Sequence, residues 1–579
     1  MTLLKALQSA SSLHSVAAIL GCTPSGLSWL LYKKPTADKY KNFEIPKRGG
    51  GHRKISAPSP DLKVLQRKLA DRLEACRKEI VERENLKDDI AHGFRSGRSI
   101  ISNAKRHRGR RYVFNVDLSN FFGSINFGRV RGYLIKDKNF ALNPKVATIL
   151  AQIACNDNAL PQGSPCSPVL SNLIAHVLDI HLVRLCAKQG CVYTRYADDL
   201  TFSTNLAEFP ASIAVASPAD PHVWLPGKEL SRLVALSGFE INPAKTRMQY
   251  CNSRQEVTGL VVNRKVNVRS EYRRTVRSMV HRLFTTGAYS HVHRVPDENG
   301  IMVETCVPGT LDQLHGMLGF IEQIDLQYKK DALSTGRHVR LSSKESVFRR
   351  FLMFKEFYSA SRPTIICEGK TDNVYLVHAI RSLAAKFPLL ASVDADERIK
   401  LAARLYKYTG SSTGRILGLH GGTGDLTKFI QSYRAEMTRF TAPGKFQPII
   451  VLIDNDSGAG PIYSTIKEIT KHTPTKHEPF VHVTGNLYVC ATPLPPGKSE
   501  SMIEDFFDAA TKAEEIGGKK FDPKTDGDTD KTYGKVVFAH KVVRAKADTI
   551  KFNGFEPLLA NISNLIQEHR RKFPSAHSV

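Results

Sequence analysis

The pattern of apolar and polar residues in the first half of the chain predicts strands that end in carboxylates. Tyr112 to Val116 has the composition of a strand, and this strand is predicted to end at Asp117. The segment CVYTRYADDLTFS is β-branched and aromatic on both sides of Asp198 and Asp199, which predicts a hairpin with these acids at its turn. Periodicity alone does not establish that these strands are neighbours.

The second half predicts strands that alternate with helices. Thr364–Cys367 is a short apolar run that ends at Glu368, and apolar residues at helical spacing follow it. RILGLHGGTGDLTKFI and PIIVLIDNDSG each predict a further strand and loop, the first continuing into a helix. Open α/β sheets bind ligands at the carboxyl ends of their strands, so an acid placed there is a candidate ligand.

The stretch LIDNDSG places Asp454 and Asp456 two residues apart, directly behind an apolar run. If the strand continues through them, both side chains point the same way, and a divalent metal would relieve the repulsion between them. The alternative is a polar loop just past the end of the strand.

Length and charge narrow the class of protein. A chain of 579 residues is too long for one core, and a net charge of +28 favours a polyanion as partner. One basic run, Arg95–Arg111, has seven Lys or Arg residues and no acid, and a second lies within Asn267–Arg282 at helical spacing. Both favour phosphate contacts over a merely solvated face.

Membrane and zinc classes are disfavoured. No apolar run approaches the length of a membrane span, and the N-terminal segment lacks a clear signal-peptide core. The ten cysteines include no CxxC pair, which fits a reducing cytosol. We therefore expect a cytoplasmic protein with no membrane partner.

The carboxylates of the first half suggest two-metal chemistry. Asp117, Asp198 and Asp199, displayed on adjacent strand ends, can hold two Mg²⁺ ions and leave positions for substrate phosphates. Two metals so placed stabilise the attacking and leaving oxygens of an in-line phosphoryl transfer.

Four motifs in order, VDLSNFF, LPQGSPCSPVLSNL, YADDLTFS and GFEINPAKTRM, resemble a reverse transcriptase palm. NAKRH (Asn103–His107) and VTGLVVN (Val257–Asn263) resemble two elements of retron reverse transcriptases, over roughly residues 1–355. Taken alone, NAKRH could equally be a helical stretch in a basic face. VTG alone could equally be a set of ordinary strand and turn residues. Asn205–Lys228 departs from the family as a palm insertion of unknown role.

The retron resemblance implies roles for particular residues. Asp117, Asp198 and Asp199 would be the metal carboxylates, and Phe122 the steric gate against ribonucleotides. The other nucleotide-binding positions would be Gln162, Gly163, Lys245, Arg53 and Lys54. The RNA-binding positions would be Asn103, His107, Val257, Thr258 and Gly259, with Arg269, Arg273 and Arg277 in a thumb that tracks the duplex.

EGKTD followed by DND resembles the TOPRIM domain of topoisomerases, primases and OLD-type nucleases. The resemblance implies a second Mg²⁺ site at Glu368, Asp454 and Asp456, with Asp372 in support. Further candidates downstream are Glu504, Asp505, Lys541 and Lys546.

The predicted architecture is multi-domain, α+β and α/β: a right-hand polymerase followed by a TOPRIM-like parallel α/β domain. Fingers and palm would span 1–263, a helical thumb 264–358, and the TOPRIM-like domain with its C-terminal extension 359–579. A homo-oligomer is left open. A group II intron-type enzyme is disfavoured because no maturase or HNH-like Cys/His cluster is visible.

The predicted function has two parts. A retron RNA-directed DNA polymerase would make a branched RNA–DNA hybrid, msDNA, from its own non-coding RNA and dNTPs. A metal-dependent TOPRIM nuclease would act in anti-phage defence on host or phage nucleic acid, tRNA included. The alternative keeps the polymerase but makes the TOPRIM module inert, binding only the RNA–DNA product.

Overall fold

The structure is a computed structural model that describes residues 2–47, 51–296, 302–329, 341–407, 412–523 and 529–574. The chain forms two compact units. The N-terminal unit comprises Met1–Ser270 and Arg294–Val303, and the C-terminal unit comprises Glu271–His293 and Glu304–Val579. The thumb boundary predicted at residue 358 therefore lies inside the C-terminal unit.

The N-terminal unit is mixed α/β. Its α-helices are Leu3–Ser9, Leu13–Leu20, Pro24–Ser28, Thr36–Lys39, Pro60–Arg83, Ile100–Arg106, Phe127–Lys136, Pro144–Ala154, Ser167–Lys188 and Lys228–Leu236, and Trp29–Lys33 is a π-helix. Its strands are β1 (Tyr40–Pro46), β2 (His52–Pro58), β3 (Tyr112–Leu118), β4 (Val192–Tyr196), β5 (Asp199–Thr204), β6 (Ala214–Ala216), β7 (Trp224–Pro226), β8 (Ile241–Tyr250), β9 (Glu256–Val257) and β10 (Leu260–Val261).

Four of these strands form an antiparallel sheet in the order β4-β5-β3-β8. The predicted strand is confirmed as β3, which continues through Asp117 to Leu118. The predicted hairpin is confirmed as β4 and β5, with Ala197 and Asp198 at its turn. The predicted insertion contains the hairpin β6–β7, whose Trp224 donates a hydrogen bond to Tyr250.

The core of the N-terminal unit lies between the sheet and its helices. Ser167–Lys188 is the one described unbroken helix long and apolar enough to cross a membrane, but most of its apolar window is buried in the protein. Length and composition alone therefore do not make it a span. Its Asp179 accepts two hydrogen bonds at 2.8 Å from Arg195 of β4, and this guanidinium is fully buried. Arg195 also donates to the Ala197 carbonyl, so a buried ion pair supports the β4–β5 turn.

The C-terminal unit combines helices with a parallel sheet. Its α-helices are Ser270–Thr286, which starts at the unit boundary, then Leu311–Leu326, Ser343–Met353, Asp372–Ser382, Ser412–Leu417, Thr423–Met437, Gly460–Thr470, Ala509–Lys512, Lys535–Val537 and Glu556–Lys572. Shorter π and 3₁₀ turns are Phe354–Tyr358, Ser457–Ala459, Ile503–Phe506, Phe538–Val543 and Asn553–Phe555. Its strands are β13 (Thr364–Cys367), β14 (Ala391–Val393), β15 (Ile399–Leu401), β16 (Arg404–Leu405), β17 (Ile449–Ile453), β18 (Val481–Thr484), β19 (Leu487–Ala491), β20 (Lys520–Phe521) and β21 (Thr532–Tyr533). A separate hairpin of β11 (Ser290–Pro296) and β12 (Met302–Pro308) has residues in both units.

The main sheet of this unit has the order β16-β13-β17-β19-β18, and all neighbours are parallel except β18 and β19. The predicted alternation of strands and helices is confirmed. At RILGLHGGTGDLTKFI the predicted strand is wrong, because Ser412–Leu417 is helical there.

The predicted thumb helices pack on the α/β part of the same unit. The rings of Phe284 and Phe354 lie 4.8 and 5.2 Å from the ring of Phe440. Arg415 contacts the buried carboxylates of Glu322 at 2.5 Å and Glu345 at 2.9 Å. These helices are therefore joined to the α/β region by an aromatic cluster and by buried ion pairs.

Candidate active sites

The three carboxylates of the first half meet at one edge of the antiparallel sheet. Asp117 of β3 is directly opposite Asp199 of β5, and the Leu118 N–H donates to the Asp198 carbonyl at 3.0 Å. A two-residue turn creates this proximity, with Ala197 at φ 57°, a conformation that glycine adopts more easily. A strained turn held by the buried Arg195 is thus the scaffold of the acidic site.

Mutual repulsion and burial dominate the electrostatics of this site. Burial, with Asp198 and Asp117 next, raises the pKa of Asp199 to about 6. Burial also raises the pKa of Asp198. Lys245 donates to both oxygens of Asp117, at 3.0 and 3.1 Å, and this hydrogen bond is the largest cause of the raised pKa of Lys245. The cluster therefore favours added positive charge.

An all-oxygen set of carboxylates suits Mg²⁺, and the ammonium of Lys245 already lies where a cation would contact Asp117. Across the described ranges, no three His, Cys, Asp or Glu side chains converge closely enough to hold a metal as they are placed. The residue types therefore fit the metal, while Lys245 and the aspartate rotamers would have to rearrange.

A cavity of about 350 Å³ opens beside these aspartates. Thr258 and Gly259, predicted for RNA binding, line it together with Asp117, Asp199 and Lys245. Arg247 and Thr201 also line the cavity, and no pattern in the sequence indicated them, because basic and hydroxyl residues on strands carry no distinctive spacing. Val257 is buried in the short strand that precedes this turn.

The predicted nucleotide-binding residues lie in the same unit. The ring of Phe122 packs against Phe121 and, at 6.0 Å, against Phe94. The Gln162 carbonyl accepts a hydrogen bond from the Ser56 N–H of β2. Gly163 has φ 125°, and a Cβ there would come within 2.8 Å of the Ser56 carbonyl, so the turn requires glycine. Arg53 and Lys54 are exposed on β2.

Asn103 and His107 are fully buried. The His107 ring nitrogens lie 2.7 Å from Ser203 Oγ and 2.7 Å from Thr194 Oγ1, and Thr194 donates to Asn103 at 2.5 Å. Both side chains connect the segment that contains the helix Ile100–Arg106 to the β4–β5 hairpin by hydrogen bonds. Neither side chain is exposed to a bound RNA in this arrangement. Their predicted contact with RNA stays a prediction, and in this arrangement it would be indirect.

We predict that acid destabilises the N-terminal unit through His107. Burial, then nearby arginines and His92, lowers the pKa of His107 from 6.5 to about 3. Between these values the unfolded chain binds a proton that the folded chain does not, so the free energy of unfolding falls as pH decreases below 6.5. At pH 5 the loss is about 2 kcal/mol relative to pH 7.5.

Tryptophan fluorescence during denaturant unfolding measures this effect, because both tryptophans, Trp29 and Trp224, lie in the N-terminal unit. His107→Asn should be less stable at pH 7.5 but should lose about 2 kcal/mol of the pH dependence. The exposed His14→Asn is the control and should retain the wild-type pH dependence. An unchanged pH dependence in His107→Asn would contradict the prediction.

Comparison with known proteins assigns the family. Residues 45–263 match the family described as reverse transcriptase (RNA-dependent DNA polymerase). The chain is 31% identical over 293 residues to the retron Ec86 reverse transcriptase of Escherichia coli, covering 82% of that protein and 49% of this one. The chain belongs to the retron reverse transcriptases. Family membership implies a divalent metal, usually Mg²⁺, at the polymerase site.

Two retron reverse transcriptases of another organism match over less of their own length. The chain is 34% identical over 334 residues to the retron Mx162 enzyme of Myxococcus xanthus, covering 54% of this chain and 64% of that protein. It is 36% identical over 288 residues to the retron Mx65 enzyme of the same organism, covering 46% of this chain and 62% of that protein. The chain thus spans less than two thirds of these two relatives, and about half of it has no counterpart in either alignment.

Solved structures of telomerase align weakly. The alignment with apo telomerase of Candida tropicalis covers 41% of this chain and 56% of the telomerase chain. The sequence identity is 13% and the TM-score is 0.27. The alignment with Candida albicans telomerase in complex with a telomeric RNA fragment covers 54% of this chain and 58% of the telomerase chain. The sequence identity is 11% and the TM-score is 0.29. These TM-scores lie below the range that indicates a shared fold.

A second acidic cluster lies at the carboxyl edge of the parallel sheet. Glu368 follows β13 and Asp454 follows β17, and the Asp454 N–H donates to Glu368 at 3.3 Å. Thr423 donates to the other Glu368 oxygen at 2.5 Å. Asp372 accepts from the Gly369 N–H at 2.7 Å, and a Cβ at Gly369 would lie 2.6 Å from an oxygen of Asp372. A side chain at Gly369 would therefore displace the Asp372 carboxyl from this hydrogen bond.

Burial makes this cluster electrostatically unusual. Burial, then Asp372 and Glu504, raises the pKa of Asp454 to about 8. Burial also raises the pKa values of Asp372 and Glu504. Lys535 lies 3.1 Å from Glu504, whose carboxylate is almost completely buried. Three carboxyl groups that resist ionisation around one lysine form a site with a deficit of positive charge.

The remaining candidates have other contacts. Asp456 lies past the end of β17, where it accepts from the Gly458 N–H at 2.8 Å and caps the following 3₁₀ turn, as the polar-loop alternative predicted. Asp505 pairs with Lys498, and Lys546 pairs with Glu514. Lys541 is exposed. Lys535, missed in the sequence, is the lysine that contacts the cluster.

Proposed function

We propose that this protein is an RNA-directed DNA polymerase that copies its own retron non-coding RNA into a branched RNA–DNA hybrid. The observation that carries the proposal is the register of Asp117 opposite Asp199 with Asp198 at the adjoining turn, in a chain of this family. Mg²⁺ bound there would supply the charge stabilisation of phosphoryl transfer. A guanosine 2′-hydroxyl of the RNA would be the primer, as the family resemblance implies.

Lys245 would connect nucleotide binding to the acidic site. Its side chain is 62% exposed and is held by Asp117 at 3.0 Å. An approaching dNTP triphosphate competes for this ammonium, which frees the Asp117 oxygens. Arg53 and Lys54 of the exposed β2 would bind the same phosphates, and the backbone at Gln162 and Gly163 would border the incoming base.

We predict that Phe122→Ala admits ribonucleotides while dNTP incorporation persists. Phe122 is supported by Phe94 and Phe121, so its ring holds a defined position against a 2′-hydroxyl. Primer extension on an RNA template with dNTPs or rNTPs measures the ratio of the two rates. The ratio of rNTP to dNTP incorporation should rise at least about 10-fold, which corresponds to a loss of about 1.4 kcal/mol of discrimination.

Phe122→Tyr keeps the ring and is the matched control, which should exclude rNTPs as wild type does. Exclusion of rNTPs by Phe122→Ala would place the gate elsewhere. Failure of the wild-type protein to extend any RNA-templated primer would contradict the polymerase proposal itself.

We further propose that residues 359–579, within the C-terminal unit, form a metal-dependent TOPRIM nuclease domain. Its support is the cluster of Glu368, Asp372, Asp454 and Glu504 beside Lys535, at the sheet edge where α/β folds bind ligands. The raised pKa values of Asp372, Asp454 and Glu504 suit a divalent cation, which would restore the ionised forms of these carboxyls. The alternative, an inert module that binds the RNA–DNA product, has no use for buried carboxyls of this kind.

The nuclease would act in the cytoplasm, in anti-phage defence, on host or phage nucleic acid, with tRNA among the candidate targets. Sequencing of cleaved RNA and DNA from phage-challenged cells identifies the target. Absence of any cleavage specific to cells that carry the protein would favour the inert alternative.

A further inference from the structure

Three helices of the C-terminal unit enclose a cavity of about 560 Å³, within the range of small-molecule sites. Ser270–Thr286, Leu311–Leu326 and Ser343–Met353 supply its walls. Val276, Leu318, Ile321 and Val347 make an apolar floor. We call this space, with its rim, the helical pocket.

The rim of the helical pocket is strongly basic. Five cationic side chains line it, from two of the three helices: Arg273, Arg274, Arg277, Lys344 and Arg350. Lys344 is paired with Asp325 at 2.8 Å. Within the described ranges, the guanidinium groups of Arg273, Arg277 and Arg350 have no ion pair or hydrogen bond with another residue.

Among the described residues that line the helical pocket, one is a carboxylate, and it is already neutralised. Glu322 is buried and contacts Arg415 at 2.5 Å. The three unpaired guanidinium groups therefore face the pocket without a counter-charge from its walls. An anion is the complementary ligand.

We propose that the helical pocket binds one unpaired nucleotide. The guanidinium groups of Arg273, Arg277 and Arg350 contact its phosphate, and the floor of Val276, Ile321 and Val347 receives its base. A duplex backbone would use exposed arginines but has no group that fills an apolar recess, because its bases are stacked inside the helix. An unpaired nucleotide has both a charged and an apolar part.

This inference deepens the proposed nucleic-acid contact of Arg273 and Arg277. The nucleotide has two sources, a free mononucleotide or an unpaired residue of a bound strand. Both share the same chemistry, so the experiment separates them. Binding is measured in EDTA and therefore does not require polymerase or nuclease catalysis. A negative binding result would overturn the nucleotide pocket without contradicting the proposed polymerase or nuclease activity.

The test measures the affinity of the full chain for two fluorescent probes. One is a labelled dAMP, and the other is a labelled DNA duplex with a 3′ overhang, compared with the same duplex made blunt. Val347→Trp fills the floor, while the double variant Arg273→Ala/Arg277→Ala removes charge from the rim. Arg282→Ala, on the same helix but outside the pocket, is the charge-matched control for each arginine.

We expect Val347→Trp to weaken binding of dAMP or of the overhang at least 10-fold, with binding of the blunt duplex unchanged. Arg350→Ala, on a different helix, should weaken the same probe and guards against misfolding of the tryptophan variant. A loss confined to dAMP identifies a free nucleotide, and a loss confined to the overhang identifies a strand. Equal binding by wild type, Val347→Trp and Arg350→Ala would overturn the proposal, as would equal losses in Arg282→Ala and the rim variants.

Discussion

Asp199→Asn should lower RNA-templated DNA synthesis by about 10³-fold or more, because an amide holds Mg²⁺ poorly. Metal stabilisation of the transition state is worth several kcal/mol, and about 4 kcal/mol corresponds to 10³ in rate. The substitution also removes one of three mutually repelling carboxylates, so folding should be preserved or improved. The measurement is single-turnover extension of a primed RNA template with dNTPs.

Two comparisons make the Asp199 result specific. Asp71→Asn is the matched control, an exposed aspartate on a helix of the same unit, and should extend primers at the wild-type rate. Affinity for the retron RNA should be unchanged in both variants, because an aspartate in an acidic site does not attract the phosphates of the RNA. Extension by Asp199→Asn at the rate of Asp71→Asn would remove Asp199 from the catalytic set.

Asp454→Asn should abolish the proposed nuclease activity while leaving DNA synthesis at the wild-type level. The variant keeps the size of the side chain, and its amide oxygen can still accept from the Ile503 N–H, as Asp454 does at 2.9 Å. Cells that carry it should lose phage-dependent cleavage of nucleic acid and also lose defence. Asp396→Asn, an exposed position in the same unit, should behave as wild type.

The same variant should change stability in a direction that identifies the site. A folded pKa of about 8 against 3.8 means that the folded state favours the protonated form, so stability from Asp454 is lost as pH rises from 3.8 to 8. At pH 7 without metal, Asp454→Asn should therefore be more stable than wild type by about 4 kcal/mol.

Mg²⁺ should reduce this difference. A ligand at 100 times its dissociation constant stabilises the folded state by about 2.7 kcal/mol, and wild type should gain this while Asp454→Asn should not. Calorimetry is the appropriate measurement, because the C-terminal unit contains no tryptophan. Intact cleavage by Asp454→Asn, or an equal Mg²⁺ response in both proteins, would favour the inert-module alternative.

Local patterns in the sequence predicted the strand-end positions of Asp117, Asp198 and Asp199 because strand propensity and the YADD turn act within a few residues. The placement of Asp117 opposite Asp199 needed only that β3 and β5 be neighbours. The family match supports the reverse transcriptase assignment of this part, whereas the roles of these acids and the TOPRIM assignment of residues 359–579 stay predictions.

Other features depend on contacts that no local pattern records. The burial of His107 follows from its two hydroxyl partners, which lie 87 and 96 residues away along the chain. Lys535 is 31 residues from Glu504, and lysines nearby looked equally suitable. Asp456 does not lie in a strand beside Asp454, because β17 ends at Ile453. The apolar run in the sequence does not specify this boundary.

The packing of Phe284 and Phe354 on Phe440 also has a consequence for the order of events during translation. The helix Ser270–Thr286 leaves the ribosome roughly 150 residues before Phe440, which at about 5 to 20 residues per second is a delay of about 8 to 30 s. During that interval the nascent chain exposes aromatic surface that only the later α/β region can cover. A chain that terminates before residue 440 would remain a substrate for chaperones and proteases, so synthesis itself favours the release of polymerases that carry their C-terminal partner.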